Sequence, residues 1–247
     1  MPWRRTRVSY RIFVSEIILQ QTRIDRVRRK YPEFLRAFPS FRRLAEASVE
    51  QVLAAWKGLG YNRRALALRE SARIIVTRHR GRVPRTVTGL MELPGVGHAT
   101  ASAVLVYSFN MPLAFIETNI RRVYLHFFFP RSTDVTDKMI LPLIEKTMDR
   151  SNPREWFYAL MDYGAMLGRK EANPNRRSAG YKRQPAFQGS VRQARGEALA
   201  AMLKLRNATE KELARAIGGP DSRLRVALCQ LVEEGFLSLR GRRYYFR

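Results

Sequence analysis

Leu93-Pro94-Gly95-Val96-Gly97, followed at once by a helix-compatible run over residues 98–107, is the tightest constraint this chain carries. Pro94 ends the preceding turn, and Gly95 and Gly97 permit tight, positive-φ backbone. The segment therefore reads as a hairpin between two helices. The second helix starts with unpaired N–H groups and the positive end of its dipole, so an anionic oxygen fits there. An ordinary Pro-Gly turn is the competing reading, and the rest of the chain has to decide.

Charge narrows the partner. Among 247 residues, 46 Lys and Arg stand against 21 Asp and Glu, a formal net charge of +25, which is the footprint of a polyanion binder. Nucleic acid leads. A membrane surface competes with it, but no apolar run reaches the length of a spanning helix and no N-terminal stretch has signal-peptide order, so a cytoplasmic protein is expected, nucleoid-associated if prokaryotic. Cys229 is the single cysteine, which excludes an internal disulfide and a cysteine-rich metal site. Its apolar neighbours place it in a core.

Up to about residue 170 apolar residues recur with helical spacing, and Gly or Pro cuts the pattern into short helices. One long helix is expected over 9–30, then helices over 41–47, 49–56, 63–79, 87–92, 98–109, 118–128, 138–147 and 154–167. Residues 169–195 turn basic and Pro/Gly-rich, with Asn173-Pro174-Asn175-Arg176-Arg177 at the centre, and read as an irregular loop. Beyond it come a helix over 193–205, a capping box at Thr209-Glu-Lys-Glu212, a turn at Gly218-Gly219-Pro220 and a longer helix over 221–234. A hairpin over 235–246 completes a winged-helix arrangement, a module that serves DNA grooves and protein contacts alike.

Glu16 sits among apolar neighbours, Ile12-Phe-Val-Ser-Glu-Ile-Ile-Leu19, where burial raises a carboxyl pKa and keeps it protonated near neutrality. A protonated acid is what a leaving base needs; a structural pairing with a buried arginine is the alternative. Gln20 and Gln21, one turn on, carry amides suited to base edges. Glu117 in Ala114-Phe-Ile-Glu-Thr-Asn-Ile120 lies where an apolar segment meets a helix start. It is either a second acid, ionised to stabilise an oxocarbenium-like sugar with Asn119 positioning water, or a helix-terminal acid complementing the dipole. Gly58-Leu59-Gly60-Tyr61-Asn62-Arg63-Arg64 offers an aromatic tip for a base stack with arginines for phosphate, or a plain helix-start loop.

Taken in order, these segments resemble the helix-hairpin-helix DNA glycosylases of the endonuclease III superfamily, most of all the MutY-type adenine glycosylases. Pro2-Trp3-Arg4 looks like the family's opening motif, Ser15-Glu16 through Gln20-Gln21-Thr22 like its catalytic-acid helix, and Gly58-Leu-Gly-Tyr61 like its base wedge. Leu93 to Gly97 with His98 resembles its DNA-binding hairpin, and Glu117-Thr-Asn119 stands where the family has Asp-Gly-Asn. Met161-Asp-Tyr-Gly-Ala165 looks like the helix before its metal cluster. The resemblance covers residues 1 to about 170. It implies an all-α, two-lobed fold, with a six-helix domain over 10–117 and a second over 1–9 and 118–185. A small winged-helix (α+β) domain over 190–247 follows. It also implies catalysis by Glu16, Glu117 and Asn119, with DNA held by Gln20, Gln21, Tyr61, Arg63, Leu93, Gly95, Val96, Gly97, His98, Arg176 and Arg177.

The chain also departs from that pattern. The family's aspartate is Glu117, one methylene longer. Ala99 stands where bifunctional relatives carry a Schiff-base lysine, so hydrolysis without lyase activity is expected. The four iron–sulfur cysteines would fall at Gly168, Asn175, Ser178 and Gln184, none of which ligates iron, so no cluster or other cofactor is expected. The C-terminal part shows no likeness to the domain that reads 8-oxoguanine. The family's helix before Pro2 is expected to be missing, or the start codon placed late. The resulting expectation is a monomeric, monofunctional N-glycosylase acting on duplex DNA with a mispaired or damaged base, adenine-type mispairs favoured. Uracil, thymine or altered-base excision is the alternative within the class, and a non-catalytic lesion-binding or regulatory protein is the alternative outside it.

Overall fold

The computed structural model describes every residue except Glu171, Arg183, Pro220 and Asp221, so the Pro220 turn and the first residue of the helix expected over 221–234 lie outside the described residues. A one-turn helical segment at Pro2–Arg5 precedes ten helices: α1 (Ser9–Leu19), α2 (Ile24–Ala37), α3 (Phe41–Glu46), α4 (Val49–Trp56), α5 (Arg63–Arg78), α6 (Val87–Met91), α7 (His98–Phe109), α8 (Thr118–Phe128), α9 (Asp137–Thr147) and α10 (Pro153–Lys170). After the basic segment come α11 (Val191–Leu205), β1 (Asn207–Thr209), α12 (Glu210–Ala216), α13 (Ser222–Glu233), β2 (Leu237–Arg240) and β3 (Arg243–Phe246). No helix among the described residues is long and apolar enough to cross a membrane.

Side-chain caps start several of these helices. Ser40, Ser48, Thr86, Ser190 and Thr209 each accept from an N–H of the following turn, and Ser48 with Gln51 and Thr209 with Glu212 close reciprocal boxes. The long helix expected over 9–30 is instead two, because Gln21 takes a left-handed φ of 52° and the guanidinium of Arg64 gathers the carbonyls that end α1. Nη1 of Arg64 donates to Ile17 O (3.0 Å), Ile18 O (2.9 Å) and Gln20 O, supplying the cation that a helix C-terminus favours.

Two compact units emerge. The first comprises Met1–Glu16, Val83–Glu92 and Val96–Gln184, and its core gathers Val106, Tyr107, Phe115, Ile120, Leu125, Ile140 and Phe157. Within it α8 lies against α10 so closely that a Cβ on Gly164 would sit 2.2 Å from the carbonyl oxygen of Asn119, and one on Gly168 2.5 Å from the guanidinium of Arg122. These two glycines, one turn apart, set the depth of that contact.

The second unit comprises Ile17–Arg82, Leu93–Gly95 and Pro185–Arg247, so the C-terminal module packs with helices α2 to α5. That module is a winged helix with one more strand than expected: β1 pairs antiparallel with β3, which pairs with β2, in the order β1-β3-β2. Three residues are too few to show a period of two, which hid β1 in the sequence. Leu224, Leu228, Leu231 and Phe236 fill its core, whereas Cys229 is exposed, on the outer face of α13, and not in the core as expected. Arg195 Nη1 and Nη2 meet Glu234 at 2.6 and 2.5 Å, and Arg63 Nη2 meets the same carboxylate at 2.7 Å. Burial alone would raise the Glu234 pKa, but hydrogen bonds from Arg195 and Arg63 pull it down to about 2.

Gly164→Ala should lower stability by about 1–3 kcal/mol, the usual cost of overpacking, and a thermal melt reads it directly. Gly196→Ala, inside α11 with nothing within 4 Å of the added carbon, should instead stabilise by roughly 0.5–1 kcal/mol.

Candidate active site

Both candidate acids belong to the first unit, and their surroundings differ. Glu16 lies near the end of α1 and is half-buried; its carboxyl accepts no hydrogen bond from any described residue. Burial, reinforced by the charge of Glu117 and only partly offset by Arg4, pushes its pKa up from 4.5 to about 8. The expected protonated acid is therefore present near neutrality. Arg4 does not pair with it as a structural partner would: its guanidinium makes a bidentate bridge to Asp162 at 2.6 and 2.9 Å and stacks 4.6 Å from the Tyr158 ring centre.

Glu117 is the N-cap of α8. Its Oε1 accepts the backbone N–H groups of Asn119 (2.7 Å) and Ile120 (2.9 Å), and Asn119 Nδ2 reaches its Oε2 at 3.4 Å. The helix-terminal reading of this residue is thus the one seen directly, as a side-chain cap on two N–H groups. Burial raises its pKa, while those two N–H groups and the charges of Arg121 and Arg122 oppose the rise. As the cap, the glutamate takes extended backbone at φ −129°.

Several residues of this site carry no motif. Arg122 Nη1 donates to Asn119 Oδ1 (2.9 Å) and to Gly164 O (2.6 Å), and its Nε donates to Asn173 Oδ1 (3.2 Å), so one guanidinium fixes the amide orientation of Asn119. Tyr107 and Tyr158 stack at 4.5 Å with ring planes 6° apart, and Tyr107 Oη donates to Met161 Sδ at 2.9 Å. Burial pushes the Tyr107 hydroxyl well up, with Glu16 adding to the effect. Only position could have betrayed them: Tyr107 closes the apolar run of α7, and Arg122 follows Asn119 by three residues.

The basic segment in place of the family's cluster is stitched by polar bonds. Asn175 is buried and donates from Nδ2 to Thr118 O (3.0 Å), Val135 N donates to Arg177 O (2.9 Å), and Ala179 N donates to Val135 O (3.0 Å). Gly168 faces the Arg122 guanidinium, Asn175 and Ser178 are taken up in this network, and Gln184 carries a carboxamide, so the four positions offer no thiolate and do not fit an iron–sulfur cluster. No group of three or more His, Cys, Asp or Glu among the described residues is arranged to hold a metal. Arg177 faces inward, donating to Leu125 O and Pro130 O at 2.9 Å each, where an outward phosphate contact was expected; Arg176 is exposed.

The hairpin presents backbone. Gly95 takes φ +75°, but Gly97 sits at φ −91° as the N-cap of α7, contrary to the expectation of positive φ at both. Gly97 offers no side chain to cap with, so the N–H groups of His98 and Ala99 lack helical partners. Gly95, Gly97 and His98 are exposed, whereas Leu93 and Val96 are buried at 2% and 6% exposure and anchor the turn. In the second unit, Gln20 Nε2 donates to Gly95 O (3.2 Å) and Ser71 Oγ to Pro94 O (3.0 Å). Gln21 is exposed. Tyr61 stands 40% exposed at φ +47°, on a loop held by Trp56 Nε1 bonding Gly60 O (3.0 Å) and by Arg64 Nη2 bonding Thr22 Oγ1 (2.9 Å) and Gly60 O (3.0 Å). Arg63 is engaged with Glu234, and Arg64, expected on phosphate, is the clamp behind the loop.

Residues 14–148 match the model of the HhH-GPD superfamily base excision DNA repair protein. The chain is 32% identical over 178 residues to the adenine DNA glycosylase of Buchnera aphidicola subsp. Baizongia pistaciae, covering 70% of this chain and 50% of that protein. It is 43% identical over 124 residues to the adenine DNA glycosylase of Mycobacterium tuberculosis, covering 50% and 41% respectively. The chain thus spans about half the length, or less, of the curated relatives it matches. A solved thermostable thymine-DNA glycosylase superposes with a TM-score of 0.62 at 28% identity, over 70% of this chain and 82% of that one. By the extent of that family match, the chain belongs to the HhH-GPD superfamily of base excision DNA repair proteins.

Proposed function

We propose that the protein is a monofunctional DNA N-glycosylase that removes a flipped base from duplex DNA, adenine in a mispair being the favoured substrate. The observation that carries the reading is the unequal pair of acids. Glu16, with a pKa near 8, holds a proton at neutral pH; the carboxylate form of Glu117 is supported by two backbone N–H groups. A purine leaves as a neutral base only when a ring nitrogen gains a proton, which Glu16 donates as the glycosidic bond lengthens. The sugar left behind takes oxocarbenium character, which the Glu117 carboxylate stabilises. Asn119, its amide fixed by Arg122, orients the attacking water, and water rather than an amine completes the step, since position 99 is alanine.

The hairpin N–H groups, Gln20, Gln21, Tyr61 and Arg176 are proposed as the DNA contacts, with Leu93, Val96, Arg63 and Arg177 supporting them from behind. The adenine DNA glycosylase relatives support the substrate, and the thymine-DNA glycosylase likeness favours a second reading in which a mispaired thymine is excised. The protein is proposed to act as a monomer in the cytoplasm or on the nucleoid, in three parts over 10–117, over 1–9 with 118–185, and over 190–247.

Incubation with duplexes holding adenine opposite 8-oxoguanine or guanine, or uracil or thymine opposite guanine, followed by alkali, should yield strand breaks with the adenine duplexes. Tight binding with no break on any duplex rules out catalysis. Glu16→Gln should slow excision by about 10²-fold or more while binding persists, the scale of a lost general acid. Because the Glu16 proton is needed, single-turnover rates should fall as pH rises through about 8. The folded state holds that proton more tightly than the unfolded chain, so Glu16 costs stability progressively between pH 4.5 and 8. Thermal melts should therefore find Glu16→Gln more stable than the parent above pH 8; equal melting at every pH contradicts the shifted pKa. Affinity for duplex should drop roughly 10³-fold between 50 and 200 mM salt if about six phosphates are engaged.

A further inference from the structure

A groove of about 720 Å³ lies within the second unit, and neither acid lines it. One wall is a stripe of α2, Arg26, Arg29, Lys30 and Glu33, spaced to share a single helix face. A stripe of α11 with the same spacing, Gly196, Leu199, Ala200 and Leu203, also lines it and is apolar throughout. The loop that carries Tyr61 contributes Gly58, Gly60 and Asn62, with Lys57 just before them. Phe187, 60% exposed, also lines the groove.

The charge is one-sided. Glu33 is taken up by Lys30 at 2.7 Å, while Arg26 and Lys57 are exposed and form no ion pair with a described residue. A ligand that satisfies both walls carries a row of anionic groups along one edge and flat apolar faces along the other. Unstacked nucleotides have that chemistry, with phosphates for α2 and base faces for Phe187 and the α11 stripe. An acidic, apolar peptide matches the two sets of residues as well, but Gly58, Gly60 and Asn62 favour nucleic acid, because they flank Tyr61, the exposed aromatic residue proposed as a base wedge.

We propose that this groove is a second nucleic-acid subsite, which holds a short run of unpaired nucleotides beside the Tyr61 loop. The proposal rests on the reading of that loop as a DNA wedge. It gives the winged-helix module a task that needs neither a recognition helix nor a wing: α11 supplies one side of a strand channel, and the Arg63–Glu234–Arg195 bridge holds it against α5.

Anisotropy of a fluorescein-labelled oligothymidylate, titrated with the full-length protein, tests this. Arg26→Glu with Lys57→Glu should weaken binding about tenfold or more, and so should Gly196→Phe, which fills the groove from a position with nothing within 4 Å of the added Cβ. Lys138→Glu with Lys146→Glu, the same charge change at exposed positions of α9, should cost under threefold. Polyglutamate should displace the oligonucleotide poorly. Undiminished binding by Gly196→Phe overturns the proposal whether or not the charge reversal weakens binding, because it leaves only diffuse surface charge; equal displacement by polyglutamate overturns it in favour of an acidic peptide. Excision is read separately: a wild-type protein that binds oligothymidylate in the groove but excises nothing refutes the glycosylase reading alone, and the converse refutes the groove alone.

Discussion

One helix N-terminus sets the two buried-region acids apart. The first turn of α8 points two N–H groups at Glu117, so the negative charge of that carboxylate has somewhere to reside. Glu16 has no such support. It shares the same buried region, feels the charge of Glu117, and has only Arg4, already bridged to Asp162 and stacked on Tyr158, to offset it. Two carboxyl groups of similar intrinsic acidity thereby meet different surroundings, and the proposed division into an acid and a charge stabiliser rests on that difference.

That arrangement depends in turn on a close helix contact. Gly164 lets α10 approach the start of α8 until there is no room for a methyl group, and the contact brings the Gly164 carbonyl to Arg122, which holds Asn119. Asn173 and Asn175 also brace that helix start, through Arg122 and the Thr118 carbonyl. Where the resemblance implies an iron–sulfur cluster, this chain carries a polar stitch of asparagine side chains and backbone bonds. What the two devices have in common is position: both would act on the segment that follows α10.

Much of this was legible in the sequence because it depends on near neighbours. The hairpin at Leu93 to Gly97, the bounds of α7, the capping box at Thr209 and the burial of Glu16 all follow from runs of a few residues. What was not legible depends on distant partners. The break after Leu19 comes from Arg64, more than forty residues away, and the inward turn of Arg177 from Leu125 and Pro130. Arg63 reads as a phosphate ligand until Glu234 is seen beside it. Leu93 and Val96 lie in the hairpin motif yet are buried, since a motif marks a surface without saying which of its side chains face outward.

The account stands on the proton held by Glu16. Carbon-13 NMR of protein labelled at glutamate side-chain carboxyls, with the Glu16 resonance assigned by its loss in Glu16→Gln, follows that proton without reference to any substrate. The account predicts a titration midpoint near pH 8 for Glu16. A midpoint near the ordinary 4.5 would mean that the carboxyl is ionised at neutral pH and cannot protonate a leaving base, and the assignment of roles to the two acids would be wrong.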